Sequence, residues 1–154
     1  MKKLYNNIQL YKSIAAIILG LMYIAVGIKH FTSPEIFVAI TPPFIYFKEA
    51  AVYITGLVEI IGGALLLIKK YRKKGAVLII ILLLLVFPAN IYLVFSEEAQ
   101  TLFQATRTDA VIRLPFQIPL ICIAYWHSKE SVSRWTELFC MLSFPPTIIY
   151  FLTL

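Results

Sequence analysis

The stretch that decides the fold is Lys69–Phe95, KKYRKKGAVLIIILLLLVFPANIYLVF, in which a basic cluster leads directly into a long apolar run. Five of its first six residues are Lys or Arg, and the run from Gly75 to Phe95 contains no charged residue. A helix needs roughly 20 apolar residues to cross a hydrocarbon core of about 30 Å. The stretch therefore predicts a membrane-spanning helix that follows a cytoplasmic loop, because basic loops stay on the cytoplasmic side.

The composition of the whole chain agrees with this prediction. Of 154 residues, 60% are hydrophobic and 14% are charged, with a net charge of +6. Soluble domains have about 45–50% apolar and roughly 25% charged residues. We expect an integral membrane protein whose partner is the lipid bilayer. Because the basic cluster lies between two apolar runs, it indicates a cytoplasmic loop and not a nucleic-acid site.

Three more runs are apolar enough to span, namely Ser13–Ile28, Ala50–Ile68 and Ala110–Trp126. Since lipid offers no partner for unpaired backbone groups, all of them should be helices. We predict an all-α, integral membrane four-helix bundle over residues 1–126. Basic residues before the first span and between the second and third place the N-terminus in the cytoplasm.

Residues 127–154 form a second region, a loop followed by the apolar segment Leu138–Leu154. Pro145 and Pro146 remove two backbone donors and should break a helix there. The segment crosses the membrane as a fifth, broken helix or lies in the cytoplasmic interface, and the crossing is slightly favoured.

The loop after the first span is predicted to hold a short helix on the outer leaflet. Ser33-Pro34-Glu35 supplies an N-cap, a first-turn proline and a first-turn acid, and Thr41-Pro42-Pro43 ends the helix. We expect this helix to act as a lid.

Polar residues inside the spans converge on one level of the bilayer. At 1.5 Å per residue, Glu59 lies roughly 13 Å, Asn90 roughly 8 Å and Gln117 roughly 10 Å below the outer edge. Arg113 shares a helix face with Gln117, four residues on. Buried ionisable residues in membranes usually face the protein interior with a partner.

Prolines accompany these residues. Pro115 and Pro119 should bend the start of the fourth span and leave free carbonyl acceptors near Arg113 and Gln117. Pro88 adds the same irregularity two residues before Asn90.

We predict that Glu59 pairs with Arg113 and that Asn90 and Gln117 complete a ligand-binding pocket beneath the lid, with His30 beside it. Glu59 is the candidate proton-titrating group. In one alternative, these groups satisfy one another and only lock the bundle. In another, Arg113 extends outward to lipid phosphate and leaves Glu59 protonated.

The sequence has two cysteines, Cys122 and Cys140, without a CxxC motif, and both are interpreted as small buried apolar residues. His30 and His127 are predicted on opposite sides of the membrane, so they cannot ligate one haem. No spacing of His, Cys or carboxylates in the sequence resembles a metal site.

The sequence resembles the DoxX family of small bacterial and archaeal membrane proteins. The matching stretches are Gly27–Phe31 with Pro34, Pro42-Pro43, Thr55–Glu59 with Gly62-Gly63, Val86–Asn90, Arg113–Gln117 and Ala124–Trp126. The resemblance implies a four-helix bundle in a bacterial or archaeal cell membrane, associated with redox and oxidative-stress functions. It transfers no catalytic residue, and this chain departs from it by continuing past Trp126.

The expected function is that of a redox-associated membrane subunit whose outer-half pocket holds a quinone or a similar amphiphile. The chain carries no motif that would hold electrons, so it needs a redox partner protein or a bound cofactor and is not expected to be an enzyme alone. Homo-oligomerisation is also compatible with the sequence. The alternatives are a small-solute or proton-coupled transporter, with Glu59 titrating, and a non-catalytic scaffold.

Overall fold

The computed structural model describes the backbone of residues 2–153 and the side chains of residues 6–152. All regular structure in this range is helical, which confirms the predicted all-α class. The helices are α1 Lys2–Thr32, α2 Pro34–Ile40, α3 Lys48–Leu67, α4 Arg72–Phe95, α5 Glu97–Phe103, α6 Arg107–Ser128 and α7 Arg134–Thr153.

Five of these helices are long and apolar enough to cross a membrane. They are α1 (from Asn6), α3, α4, α6 and α7 (to Leu152). The four predicted spans correspond to the first four, although α3 ends at Leu67, one residue before the predicted end, and the C-terminal segment forms the fifth. Large apolar side chains cover their outer faces, such as Leu85, which is 70% exposed, and Leu142, which is 76% exposed. An exposed apolar surface of this extent is typical of a membrane or protein contact.

The five long helices form a ring in the order α1, α3, α4, α6 and α7, and α7 returns to contact α1. All five contribute to one core cluster, which includes Leu19, Leu66, Ile79, Ile123 and Phe144. The short helices α2 and α5 pack on each other at one end, which we call the capped end. The other end, called the basic end, holds the start of α1, the α3–α4 loop and the α6–α7 loop.

Helices α1 and α3 approach so closely that their backbones touch at two glycine pairs. A Cβ atom built on Gly27 would lie 2.7 Å from the carbonyl oxygen of Gly56, and one built on Gly63 would lie 2.5 Å from that of Gly20. Small residues allow this approach, which is a common way of packing helices in membranes. The two contacts fix the register of α3 against α1.

Helix α7 contradicts the predicted break at Pro145 and Pro146, because the helix continues through both residues. Pro145 cannot donate a hydrogen bond to the carbonyl of Met141, four residues earlier. The hydroxyl of Tyr11 on α1 donates to that carbonyl at 2.9 Å. The side chain of a neighbouring helix thus replaces the missing backbone donor, which sequence spacing alone did not indicate.

At the capped end, the predicted short helix is confirmed as α2, which begins at Pro34 and ends before Thr41. The sequence prediction missed α5, although its signals are present. Ser96 caps α5 by accepting a hydrogen bond from the Ala99 N–H at 3.2 Å, and two acids follow it. Helix α6 then begins with a capping box formed by Thr106 and Asp109.

At the basic end, Lys73 at the start of α4 pairs with Glu130 in the α6–α7 loop. The hydrogen bond and the charge of the Lys73 ammonium hold the pKa of Glu130 below its usual range. Both side chains are exposed, so the pair orients the loop and adds little stability.

Replacing Gly63 tests the α1–α3 contact. Gly63→Leu should lower the free energy of unfolding by roughly 1–3 kcal/mol, because the new side chain would clash with the backbone of α1 at Gly20. Unfolding of the purified protein in detergent measures this loss. Ala50→Leu, at an exposed position of the same helix, is the matched control. Equal losses in the two variants would contradict the close contact.

A double-mutant cycle tests the role of Tyr11. Tyr11→Phe should cost about 1 kcal/mol, because the Met141 carbonyl loses its donor. In a Pro145→Ala background the cost should shrink, since the restored N–H at position 145 donates to the same carbonyl. Tyr125→Phe, at a position that is 44% exposed, is the control. A cost that is unchanged in the Pro145→Ala background would show that Tyr11 acts in another way.

Candidate ligand site at the capped end

Three of the predicted site residues join α4 and α6 in a polar chain. The Nε of Arg113 donates to Oδ1 of Asn90 at 3.0 Å, and Nδ2 of Asn90 donates to Oε1 of Gln117 at 2.8 Å. Nε2 of Gln117 in turn donates to the carbonyl oxygen of Leu83. Asn90 and Gln117 are buried, with 7% and 2% of their surface exposed. The structure thus brings Asn90, Arg113 and Gln117 together from two helices, whereas the sequence predicted a cluster from three helices that also included Glu59.

Pro115 and Pro119 do not interrupt α6, and the carbonyl that accepts from Gln117 is not one of its own. Helix α6 stays helical through Pro115 and Pro119. The carbonyl that accepts from Gln117 belongs to Leu83 of α4, one residue before the Leu84 carbonyl that Pro88 leaves without a donor. The acceptor is thus supplied by the neighbouring helix.

The predicted Glu59–Arg113 ion pair is wrong, because Glu59 pairs with His30. Nδ1 of His30 lies 3.1 Å from Oε2 of Glu59, and both side chains are buried. The contact of Gly27 with Gly56 brings the end of α1 against α3 and so places the imidazole beside the carboxylate. Arg113 is held by Asn90, which also argues against its extension toward lipid phosphate.

The His30–Glu59 pair keeps some hydrogen-bonding capacity. Nδ1 of His30 also lies 3.1 Å from the carbonyl oxygen of Val26. Since a carbonyl can only accept, Nδ1 carries a proton, and this one N–H is shared between two acceptors. The carboxylate of Glu59 is therefore only partly satisfied by the histidine.

Helix α2 covers this pair, as expected of a lid. The ring of Phe37 stacks on the imidazole of His30, with ring centres 3.6 Å apart and planes inclined by 21°. Phe37 also packs against the apolar cluster that joins α2, α4, α5 and α6. The lid is thus anchored both to the site and to the capped end.

Two aromatic rings enclose the guanidinium of Arg113. Its central carbon lies 5.0 Å from the ring centre of Phe103 on α5 and 5.4 Å from that of Phe151 on α7. A cation over an aromatic face is attracted by the ring quadrupole, more strongly where water is excluded. Sequence reasoning missed both rings, because an aromatic residue in so apolar a sequence gives no local sign of such a contact.

Tyr23 on α1 completes the site and was also missed. It is buried, with 4% of its surface exposed, and its hydroxyl has no hydrogen-bond partner among the described residues. It lies on α1 one helical turn before Gly27, the residue at which α1 contacts Glu59 of α3. A buried hydroxyl without a partner is costly, so Tyr23, like the partly satisfied carboxylate of Glu59, has hydrogen-bonding capacity left for a ligand or water. Its spacing of seven residues from His30, two helical turns, was the only available signal.

The two cysteines lie toward the basic end of α6 and α7. Cys140 is buried and Cys122 is half-buried. Sγ of Cys140 donates to the backbone carbonyl of Cys122 at 3.4 Å. This contact fits their interpretation as packing residues between the two helices.

The family described as Domain of unknown function (DUF8561) matches residues 19–128, more than two thirds of the chain. The match begins in α1 and ends with α6, so it includes all the predicted site residues and leaves out α7. No curated protein and no solved structure matches the chain.

The polar chain can be tested by removing its central members. Asn90→Leu and Gln117→Leu should each lower the free energy of unfolding by about 1 kcal/mol, because each leaves buried partners unpaired. The double variant should lose less than the sum, since the Asn90–Gln117 bond can be lost only once. Thr108→Leu, at an exposed position of α6, should be additive with Asn90→Leu. Additive losses for Asn90 and Gln117 would contradict their direct coupling.

Proposed function

We propose that this chain, which belongs to the DUF8561 family, is a multi-pass membrane protein that binds a quinone or a similar amphiphile at the capped end. In this proposal it is a redox-associated subunit of a bacterial or archaeal cell membrane, with the N-terminus and the basic end in the cytoplasm. The bundle then places the capped end in the outer half of the bilayer.

The membrane placement is supported by the distribution of apolar and charged residues. The five long helices carry exposed apolar side chains along their lengths. Lys69, Lys70, Lys73 and Lys74 are exposed at the basic end, which the positive-inside rule assigns to the cytoplasm.

The single observation that carries the ligand proposal is the unpartnered hydroxyl of Tyr23 inside the bundle. Together with Glu59 and Arg113, it offers a neutral donor, a carboxylate and a cation between apolar helices. A site with apolar walls and a few convergent polar groups suits an amphiphile with a polar head. A quinone carbonyl would accept a hydrogen bond from Tyr23, and the apolar ring and tail would lie among the helices.

Each polar group has a distinct role in the proposal. Arg113 favours negative charge on the reduced ligand, and Glu59 with His30 moves protons to or from it. The electrons come from a redox partner protein or a bound cofactor. The redox part of the proposal rests on the resemblance to the DoxX family, and the binding part rests on the geometry around Tyr23.

Extraction of the purified protein tests the ligand. The full chain is isolated in mild detergent, its lipids are extracted, and quinones are quantified per protein by mass spectrometry. We expect stoichiometric quinone from the unaltered chain and roughly fivefold less from Tyr23→Phe, which removes one hydrogen bond of about 1 kcal/mol.

Tyr53→Phe is the matched control, because Tyr53 lies at the capped end on α3 and is 41% exposed. It should keep the quinone content of the unaltered chain. A quinone-free protein, or equal quinone in all three proteins, would contradict the proposal. If a quinone-free protein moves solute across liposomes, a transporter becomes the better interpretation, and inactivity there favours a scaffold.

A further inference from the structure

The basic end contains a buried histidine that the proposed quinone site does not use. His127 on α6 has 2% of its surface exposed, and neither ring nitrogen has a hydrogen-bond partner among the described residues. The ring of Trp126 lies 5.2 Å from it, and the Trp126 indole N–H is also buried without a partner. An imidazole can donate or accept at each nitrogen, so two such orphaned positions are unusual in a packed interior.

Two cations from other helices lie near His127. The ammonium of Lys12 on α1 is 5.4 Å from the ring centre of Trp126, the residue before His127, and Arg72 on α4 is hydrogen-bonded to Ser13, next to Lys12. Lys12 is itself buried, with 9% of its surface exposed. Neither cation has a carboxylate within 4.0 Å in the described part of the chain. Glu137 on α7 acts on Lys12 only from a distance.

The hydrogen bonds of these cations leave donors unused. Nζ of Lys12 donates to the carbonyl of Lys129 at 3.0 Å, although an ammonium has three N–H groups. Arg72 donates from Nε to the carbonyl of Leu66 at 3.0 Å and from Nη1 to Oγ of Ser13 at 3.4 Å. Both positive charges are therefore anchored to neutral acceptors, and their charge is left without a close counterion. A buried charge in this situation is costly unless an anion joins it.

We propose that Lys12, Arg72 and His127 bind a phosphate group at the basic end, between α1, α4 and α6. A phosphate has several acceptor oxygens and at least one negative charge, which matches two cations and an imidazole N–H. A single carboxylate would offer fewer acceptors to three converging side chains. The phosphate belongs either to the headgroup of a phospholipid or to a soluble phosphate compound. This site lies at the opposite end of the bundle from the quinone site and does not depend on it.

Native mass spectrometry of the delipidated full chain in detergent tests the site with three probes. They are dioleoyl-phosphatidylglycerol, the matching diacylglycerol without phosphate, and inorganic phosphate as a competitor. We expect phosphatidylglycerol to bind at least about tenfold more tightly than diacylglycerol, since charge-assisted hydrogen bonds are the strong ones. Lys12→Gln and Arg72→Gln should each weaken this binding roughly tenfold.

Lys69→Gln is the matched control, because Lys69 is exposed at the same end and carries the same charge. It should leave phosphatidylglycerol binding unchanged. Competition by millimolar inorganic phosphate would support the site with a soluble phosphate compound as its ligand, and absence of competition would support it with a lipid headgroup. Equal binding of phosphatidylglycerol and diacylglycerol, or an equal loss in Lys69→Gln and Lys12→Gln, would overturn the proposal.

The comparison of the two lipids on the unaltered chain needs no variant, so equal binding would overturn the proposal even if Lys12→Gln does not fold. Arg72 is only half-buried, which makes Arg72→Gln the safer substitution. The melting temperature of each variant without lipid separates a folding defect from a binding defect.

Discussion

The contact of the α1 backbone with the α3 backbone at Gly27 and Gly56 is the constraint on which the capped end depends. A side chain at either position would separate the helices, because the facing atoms include a backbone carbonyl and the Cβ atoms of His30 and Glu59. The close approach places the imidazole against the carboxylate, and α2 then covers both through Phe37. The close packing of Gly27 against Gly56 therefore makes His30 the partner of Glu59.

Prolines inside the long helices show a second constraint, the need to satisfy every backbone carbonyl where water is scarce. Tyr11 donates to the carbonyl that Pro145 cannot serve, and Gln117 donates across the helix contact to the Leu83 carbonyl of α4. Polar side chains therefore join neighbouring helices without any ligand. This explains why most of the polar layer is self-satisfied, and why the unpartnered hydroxyl of Tyr23 stands apart from it.

The two ends of the bundle carry different electrostatics. At the capped end, the carboxylate of Glu59 and the guanidinium of Arg113 lie in one interior, and each has its own partner. At the basic end, Lys12 and Arg72 lie near His127, which has no hydrogen-bond partner among the described residues, and the acid Glu130 pairs with Lys73. The chain thus combines a balanced site at one end with an excess of positive charge at the other.

The sequence by itself determined the helical class, the long apolar helices, the short lid at Pro34 and the level at which Asn90, Arg113 and Gln117 meet. These features follow from composition, periodicity, capping residues and a fixed rise per residue, all of which are local. Only the tertiary structure decided that Glu59 pairs with His30 and that Tyr11 donates to the carbonyl that Pro145 leaves without a donor. It also decided which aromatic side chains border the site, namely Tyr23, Phe103 and Phe151. The physical reason is that a partner on another helix depends on the rotation and separation of the two helices, which the packing of glycines and aromatic rings sets only after the chain has folded.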